Sequence, residues 1–227
     1  MNLSEYIIDF LYQMSVEHVF GISGARIETF FHEIHKSERK ISLITAKHEF
    51  SAAAMASSYA LSGKPLGVVS TTSGGAAYNL IPALAEAYCS GTPLLAIAGQ
   101  PPNNRKLYRA FQETSGSSGT PDLAASFKPV SRFCVKIGSA GEIAGIIKQV
   151  YRLLILEKSG PAVLLIPENL FTCETGEENF KLPRRKTRIE TDRTAAEDKS
   201  RKRISMGRTV FIAGRDILRE GDRKSVV

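Results

Sequence analysis

Cysteine is scarce in this chain. Cys89, Cys134 and Cys173 are its three cysteines, widely separated and odd in number. They match no metal-ligand spacing and no disulfide framework, so a reducing setting, the cytoplasm, is expected. Long apolar runs are also missing. None approaches the roughly 18 residues that a membrane-spanning helix needs, and no membrane association is expected. The N-terminus, Met1-Asn2-Leu3-Ser4-Glu5-Tyr6, has an early acid and no basic stretch ahead of an apolar core. It does not read as a secretory signal. Aromatic residues are absent from the basic clusters Arg184–Arg188 and Lys199–Arg203. Without rings to stack on bases, these clusters read as a solvated linker, and nucleic acid is not an expected partner.

What is present is ordinary for a globular protein. The 227 residues are 43% hydrophobic and 23% charged, with a net charge of +7. That length allows one domain of about 180 residues and a remainder. Apolar residues at helical spacing predict a helix over Ser4–Met14, capped by Ser4. Val16–Phe20 reads as a short strand ended by Gly21-Ile22-Ser23-Gly24. A helix is expected over about 27–35, a strand over 41–45 and an Ala- and Ser-rich helix over 50–61 that stops at Gly63-Lys64-Pro65. Leu66–Thr71 and Pro93–Ala98 are continuous apolar runs, the pattern of strands buried on both faces of a parallel sheet. Helices are expected over 76–88 and 140–156, and strands over 133–137 and 161–167.

Strands alternating with helices in this way predict an α/β fold, a doubly wound parallel sheet with helices on both faces. The expected organisation is a domain over 1–178, a charged linker over 179–207 and, over 208–227, the first strand of an incomplete second α/β domain. Open sheets of this kind take their ligands at the carboxyl ends of the strands. Two segments are expected there. One is Lys47-His48-Glu49, at the mouth of the small-residue helix. The other is Thr71-Thr72-Ser73-Gly74-Gly75-Ala76-Ala77-Tyr78-Asn79.

The ordered set Val19-Phe20-Gly21-Ile22-Ser23-Gly24, His48-Glu49, Ala53, Met55-Ala56, Tyr59-Ala60, Gly63-Lys64-Pro65, Thr72-Ser73-Gly74, Asn79, Ala87, Pro93-Leu94 and Ala98-Gly99-Gln100 resembles a known group. It is similar to the N-terminal pyrimidine-binding domain of thiamine-diphosphate enzymes of the acetolactate synthase and 2-oxo-acid decarboxylase group. Ala110-Phe111-Gln112-Glu113 further resembles the Ala-Phe-Gln-Glu of acetolactate synthases, where Phe and Gln lie near the substrate. The resemblance covers about residues 1–175. It implies thiamine diphosphate as cofactor, with Glu49 as the carboxylate that hydrogen-bonds the aminopyrimidine ring and makes its exocyclic nitrogen a base. It also implies Gly24, Ser73, Gly74, Gly75 and Asn79 around the cofactor, Phe111 and Gln112 near the substrate, and decarboxylation of a 2-oxo acid such as pyruvate followed by carboligation.

Two departures stand beside it. The family commonly has Gly-Pro-Gly after the Ser, whereas this chain reads Ser73-Gly74-Gly75-Ala76. The domain that holds the diphosphate and Mg²⁺ normally carries Gly-Asp-Gly with an Asn about 25 residues on, and Gly221-Asp222-Arg223 is not that motif. The expectation is therefore half of an active site. It would need a second subunit or protein partner in a homo- or hetero-oligomer, and the chain alone would be inactive. The alternative is a truncated, non-catalytic remnant that acts only as a folded or dimerising module. Each residue also has a plain structural role open to it. Glu49 could cap its helix or balance Lys47, the glycines and Asn79 could punctuate turns, and Phe111 and Gln112 could pack on the sheet. His18, His32, His35 and His48 are expected to be structural or at the surface, and Cys89 to be core.

Overall fold

A computed structural model describes residues 1–104, 110–157 and 159–181, within one compact unit, Met1–Leu182. The linker expected after residue 181 and the strand expected near 208–215 lie outside the described residues.

The chain opens with α1 (Leu3–Gln13). The Asn2 side chain accepts from the Glu5 amide, and the Glu5 carboxylate accepts from the Asn2 amide. This reciprocal cap satisfies two otherwise orphaned donors. Ser4 is not the cap. It is buried one position inside the helix, and its hydroxyl donates to the Phe171 carbonyl at 3.0 Å. Then follow β1 (His18–Gly21), α2 (Glu28–Lys36), β2 (Ser42–Thr45), α3 (Glu49–Leu61), β3 (Gly67–Thr71), α4 (Gly75–Tyr78), α5 (Ile81–Cys89) and β4 (Leu94–Gln100). After an irregular stretch come α6 (Leu123–Phe127), β5 (Phe133–Lys136), α7 (Ile143–Tyr151) and β6 (Ala162–Pro167).

All neighbouring strands are parallel, in the order β2-β1-β3-β4-β6-β5. The strands β3, β4 and β6 are buried along their whole length, whereas the edge strands β2 and β5 are not. That burial explains why the inner strands read as unbroken apolar runs. Alternate residues feed two separate cores. Val68, Ile97 and Leu164 pack with α1, α2 and α7, among them Phe10, Phe30 and Ile147. Val69, Ala96 and Val163 pack with α3, α5 and α6, among them Ala53, Leu84 and Phe127. Each fully buried Leu, Ile or Phe contributes about 1.5–3 kcal/mol, so both faces hold the sheet.

Three expectations are corrected. The helix expected over 76–88 is broken into α4 and α5 at Asn79-Leu80. Pro82, in the first turn of α5, has no N–H for the Tyr78 carbonyl, so one continuous helix would leave that bond unmade. The helix expected over 140–156 runs as a regular α-helix only through Tyr151. Its last turn, Arg152–Leu156, is wider, of π type. Cys89 closes α5 and is exposed rather than core. His18 lies on β1, half-buried, with its ring edge-on to Phe20 and Tyr59, while His32, His35 and His48 are exposed.

The chain leaves β1 for β2 on one side, and β3 lies on the other. The sheet therefore changes direction between β1 and β3, and the helices that follow them, α2 and α5, pack on opposite faces. Such switch points form ligand crevices.

Candidate functional site

Glu49 is the first residue of α3, just beyond the carboxyl end of β2. His48 caps the helix, its Nδ1 accepting from the Phe50 amide at 3.2 Å. The 13-residue helix places its positive end at the half-buried Glu49, which favours a carboxylate there. Asn79, at the end of α4, donates from Nδ2 to Glu49 Oε2 at 2.9 Å. Glu49 Oε1 has no partner among the described residues. One oxygen is held, and the other is presented.

The glycine turns bring the flanking loops close. A side chain at Gly24 would meet Thr72 Cβ at 2.8 Å, so the β1 loop can lie against the β3 loop only with glycine there. Gly74 has φ of +73°, and a Cβ on it would meet Gln112 Cβ at 3.0 Å. Both its conformation and its contact require glycine. At Gly75 a Cβ would stand in open space, so no steric need for glycine exists at that position. The Ser73 hydroxyl is fully buried and unpartnered, as are the Ser70 and Thr71 hydroxyls beside it. A buried hydroxyl without a partner costs free energy, and three within the four residues 70–73 mark this strand end as unusual.

Gln112 joins this group from another part of the chain. Thr72 Oγ1 donates to Gln112 Oε1 at 3.2 Å. The Gln112 backbone has φ of +59°, a left-handed conformation that side-chain-bearing residues seldom adopt. The Phe111 ring is 73% exposed and packs in no core. Its carbonyl accepts from Arg26 Nη2 at 3.2 Å. The structure thus joins Glu49 to Asn79, and Gly24, Thr72, Gly74 and Gln112 to one another, along the carboxyl ends of β1, β2 and β3.

Sequence reasoning passed over Arg26, Thr72 as a bridge, and Glu168. Arg26 pairs with Glu168 at 2.6 Å, across 142 residues of sequence. No spacing rule reaches that far. The one local signal was an arginine directly after a glycine turn at a strand end. Among the described residues, no group of three or more His, Cys, Asp or Glu is arranged to hold a metal ion, and no helix is long and apolar enough to cross a membrane.

Comparison with known proteins agrees in one direction. Residues 1–119 match the family model of the thiamine pyrophosphate enzyme, N-terminal TPP binding domain. The acetolactate synthase of Bacillus subtilis is 32% identical over 179 residues, which is 78% of this chain and 30% of that protein. The acetolactate synthase large subunit of Lactococcus lactis is 31% identical over 176 residues, 78% of this chain and 29% of that one. The mitochondrial acetolactate synthase catalytic subunit of Saccharomyces cerevisiae is 31% identical over 159 residues, 70% of this chain and 22% of its own length. The chain therefore spans less than a third of the curated relatives it matches.

Proposed function

The chain belongs to the thiamine pyrophosphate enzymes through their N-terminal TPP-binding domain, and on that premise we propose that it supplies the pyrimidine-binding half of an acetolactate-synthase-like active site. The observation that carries this reading is the Glu49 carboxylate, held through Oε2 by Asn79 with Oε1 left open.

The residues present fit a thiamine pyrimidine. Glu49 Oε1 can accept or share a proton with a ring nitrogen. The Gly24 and Gly74 turns let backbone approach closely. When bound, thiamine diphosphate supplies the electron sink on which a 2-oxo acid such as pyruvate is decarboxylated and joined to an acceptor carbonyl. Glu49 presents Oε1 to the pyrimidine ring, where it can take up or share the proton of a ring nitrogen. Asn79 fixes the carboxylate plane so that this oxygen does not rotate away. Gln112 and Phe111 stand over the same end of the sheet, where the substrate would enter.

The diphosphate and its Mg²⁺ are held, in this proposal, by a domain outside these residues, across an interface with a second subunit. The exposed stripe of α3 suits such a contact. Phe50 and Leu61 are 44% and 48% exposed. They lie 11 residues apart and so nearly in line on the helix, with Ala54 and Ser57 between them. The lyase and transferase chemistry, the oligomer and a cytoplasmic setting, which the three free cysteines suit, belong to the same proposal. Calorimetric titration with thiamine diphosphate and Mg²⁺ tests it. Binding is expected to weaken at least tenfold in Glu49→Gln, and equal binding by both proteins would refute the reading. The same refutation would leave the non-catalytic remnant as the better account.

A further inference from the structure

We propose that Arg26 is a positioning residue for the Phe111–Gln112 corner, setting the orientation in which the Gln112 amide faces the substrate. The substrate half of this statement rests on the function proposed above, whereas the positioning half stands on the geometry alone.

Arg26 reaches three parts of the site. Its backbone amide donates to Thr72 Oγ1 at 3.1 Å. That hydroxyl spends its own proton on Gln112 Oε1 at 3.2 Å. Its guanidinium donates from Nη2 to the Phe111 carbonyl at 3.2 Å. Nη1 is in turn anchored by Glu168 Oε2 at 2.6 Å, at the carboxyl end of β6. Arg26 therefore ties both the backbone and the side chain of this corner to the rim of the sheet. With Oε1 taken by Thr72, the Gln112 amide nitrogen is left with no partner among the described residues.

Two further observations bear on this. Gln112 holds φ of +59°, a conformation that persists only where the surroundings over-determine it. Arg26, Thr72 and the close contact with Gly74 are those surroundings. Gly99 lets the arrangement form, because a Cβ there would strike the Arg26 carbonyl. The Arg26–Glu168 pair is only partly exposed, at 15% and 27%, so solvent screens it less than a surface pair. A surface arginine would not need a glycine opposite its backbone, a carboxylate just beyond β6 and a carbonyl in a strained turn.

The test is amide hydrogen exchange of the full chain, compared with Arg26→Met and Glu168→Gln. Glu168→Gln keeps the shape of the anchor and loosens the arginine, which covers the case in which Arg26→Met does not fold. Exchange of the Glu113 and Ser115 amides, which are hydrogen-bonded within this corner, is expected to quicken at least tenfold, with the amides of β3 and β4 unchanged. Arg26→Lys, which retains the charge but not the fork, should recover only part of the protection. Unchanged exchange in both variants would overturn the proposal. In the cofactor-loaded assembly, Arg26→Met should raise the KM for pyruvate at least tenfold and leave cofactor affinity as it was. An unchanged KM alongside faster exchange would overturn the substrate half alone. Equal cofactor binding by Glu49→Gln would remove the proposed function, and the exchange result would still decide whether Arg26 positions the corner.

Discussion

Asn79 donates from Nδ2 to Glu49 Oε2 at 2.9 Å, joining the last turn of α4 to the first residue of α3. Asn79 closes α4 with its backbone still in the helical region, so the short helix that leaves the Ser73-Gly74 turn carries the amide to the carboxylate.

Removing Asn79 should affect function more than stability. The pair is partly exposed, and a hydrogen bond to a charged group contributes about 1.5–3 kcal/mol when desolvated. Asn79→Ala is expected to lower unfolding stability by about 1 kcal/mol or less and to weaken cofactor binding by about tenfold. Urea unfolding and calorimetry on one preparation separate the two effects.

Gly74→Ala should destabilise and also disturb Gln112. A residue with a Cβ in the left-handed region costs about 1–2 kcal/mol, and the Gln112 side chain 3.0 Å away must move as well. At about 2–4 °C per kcal/mol for a domain of this size, the melting temperature should fall by about 2–8 °C. Gly75→Ala, where space is open, is expected to change it little. Differential scanning calorimetry of the pair checks the contrast.

Asp9 ties the end of the described chain to α1. It accepts from Arg39 Nη2 at 2.8 Å, from Gln13 Nε2 at 2.8 Å and from the Phe180 amide at 3.1 Å. Phe180 fills the space beside Tyr6 and Phe10. Asp9→Ala is expected to cost about 3 kcal/mol and to free the segment around Phe180 for proteolysis. Limited digestion followed by mass spectrometry would detect the early cut.

The cysteines should differ in reactivity. Burial pushes the Cys134 thiol up from 9.0 to about 11, whereas Cys89 is exposed. At pH 8 only about 0.1% of Cys134 is thiolate, and the thiolate is the reactive form. Iodoacetamide should therefore modify Cys89 long before Cys134. The folded thiol keeps its proton to higher pH than the unfolded one. Its contribution to stability is accordingly full below pH 9 and is lost as pH rises to about 11. Cys134→Val should flatten the fall in stability over that window.

Much of the fold was legible in the sequence for a physical reason. Strands buried on both faces, such as β4, are apolar over the stretch that meets both cores, Leu94–Ala98, and small residues such as Ala52, Ala53 and Ala56 let α3 lie close on the sheet. Glu49 stood out because it opens a helix of small residues just after a strand, where open parallel sheets take their ligands. Arg26 and Glu168 did not stand out, because their partnership exists only once β1 and β6 end at the same rim. The placement of Ser4 was misread for a similar reason. Its neighbour Asn2 offers the better cap, and Phe171, distant in sequence, claims the Ser4 hydroxyl.

The central claim is that Glu49 meets an aminopyrimidine, and the Asn79 side-chain amide is its nearest reporter. The most direct measurement is nuclear magnetic resonance of the Asn79 Nδ2 protons during titration with thiamine diphosphate, which detects binding even when it is weak. The account predicts a saturable shift of that signal in the native chain and its loss in Glu49→Gln. A signal that stays fixed in the native chain, or moves equally in both proteins, would contradict it.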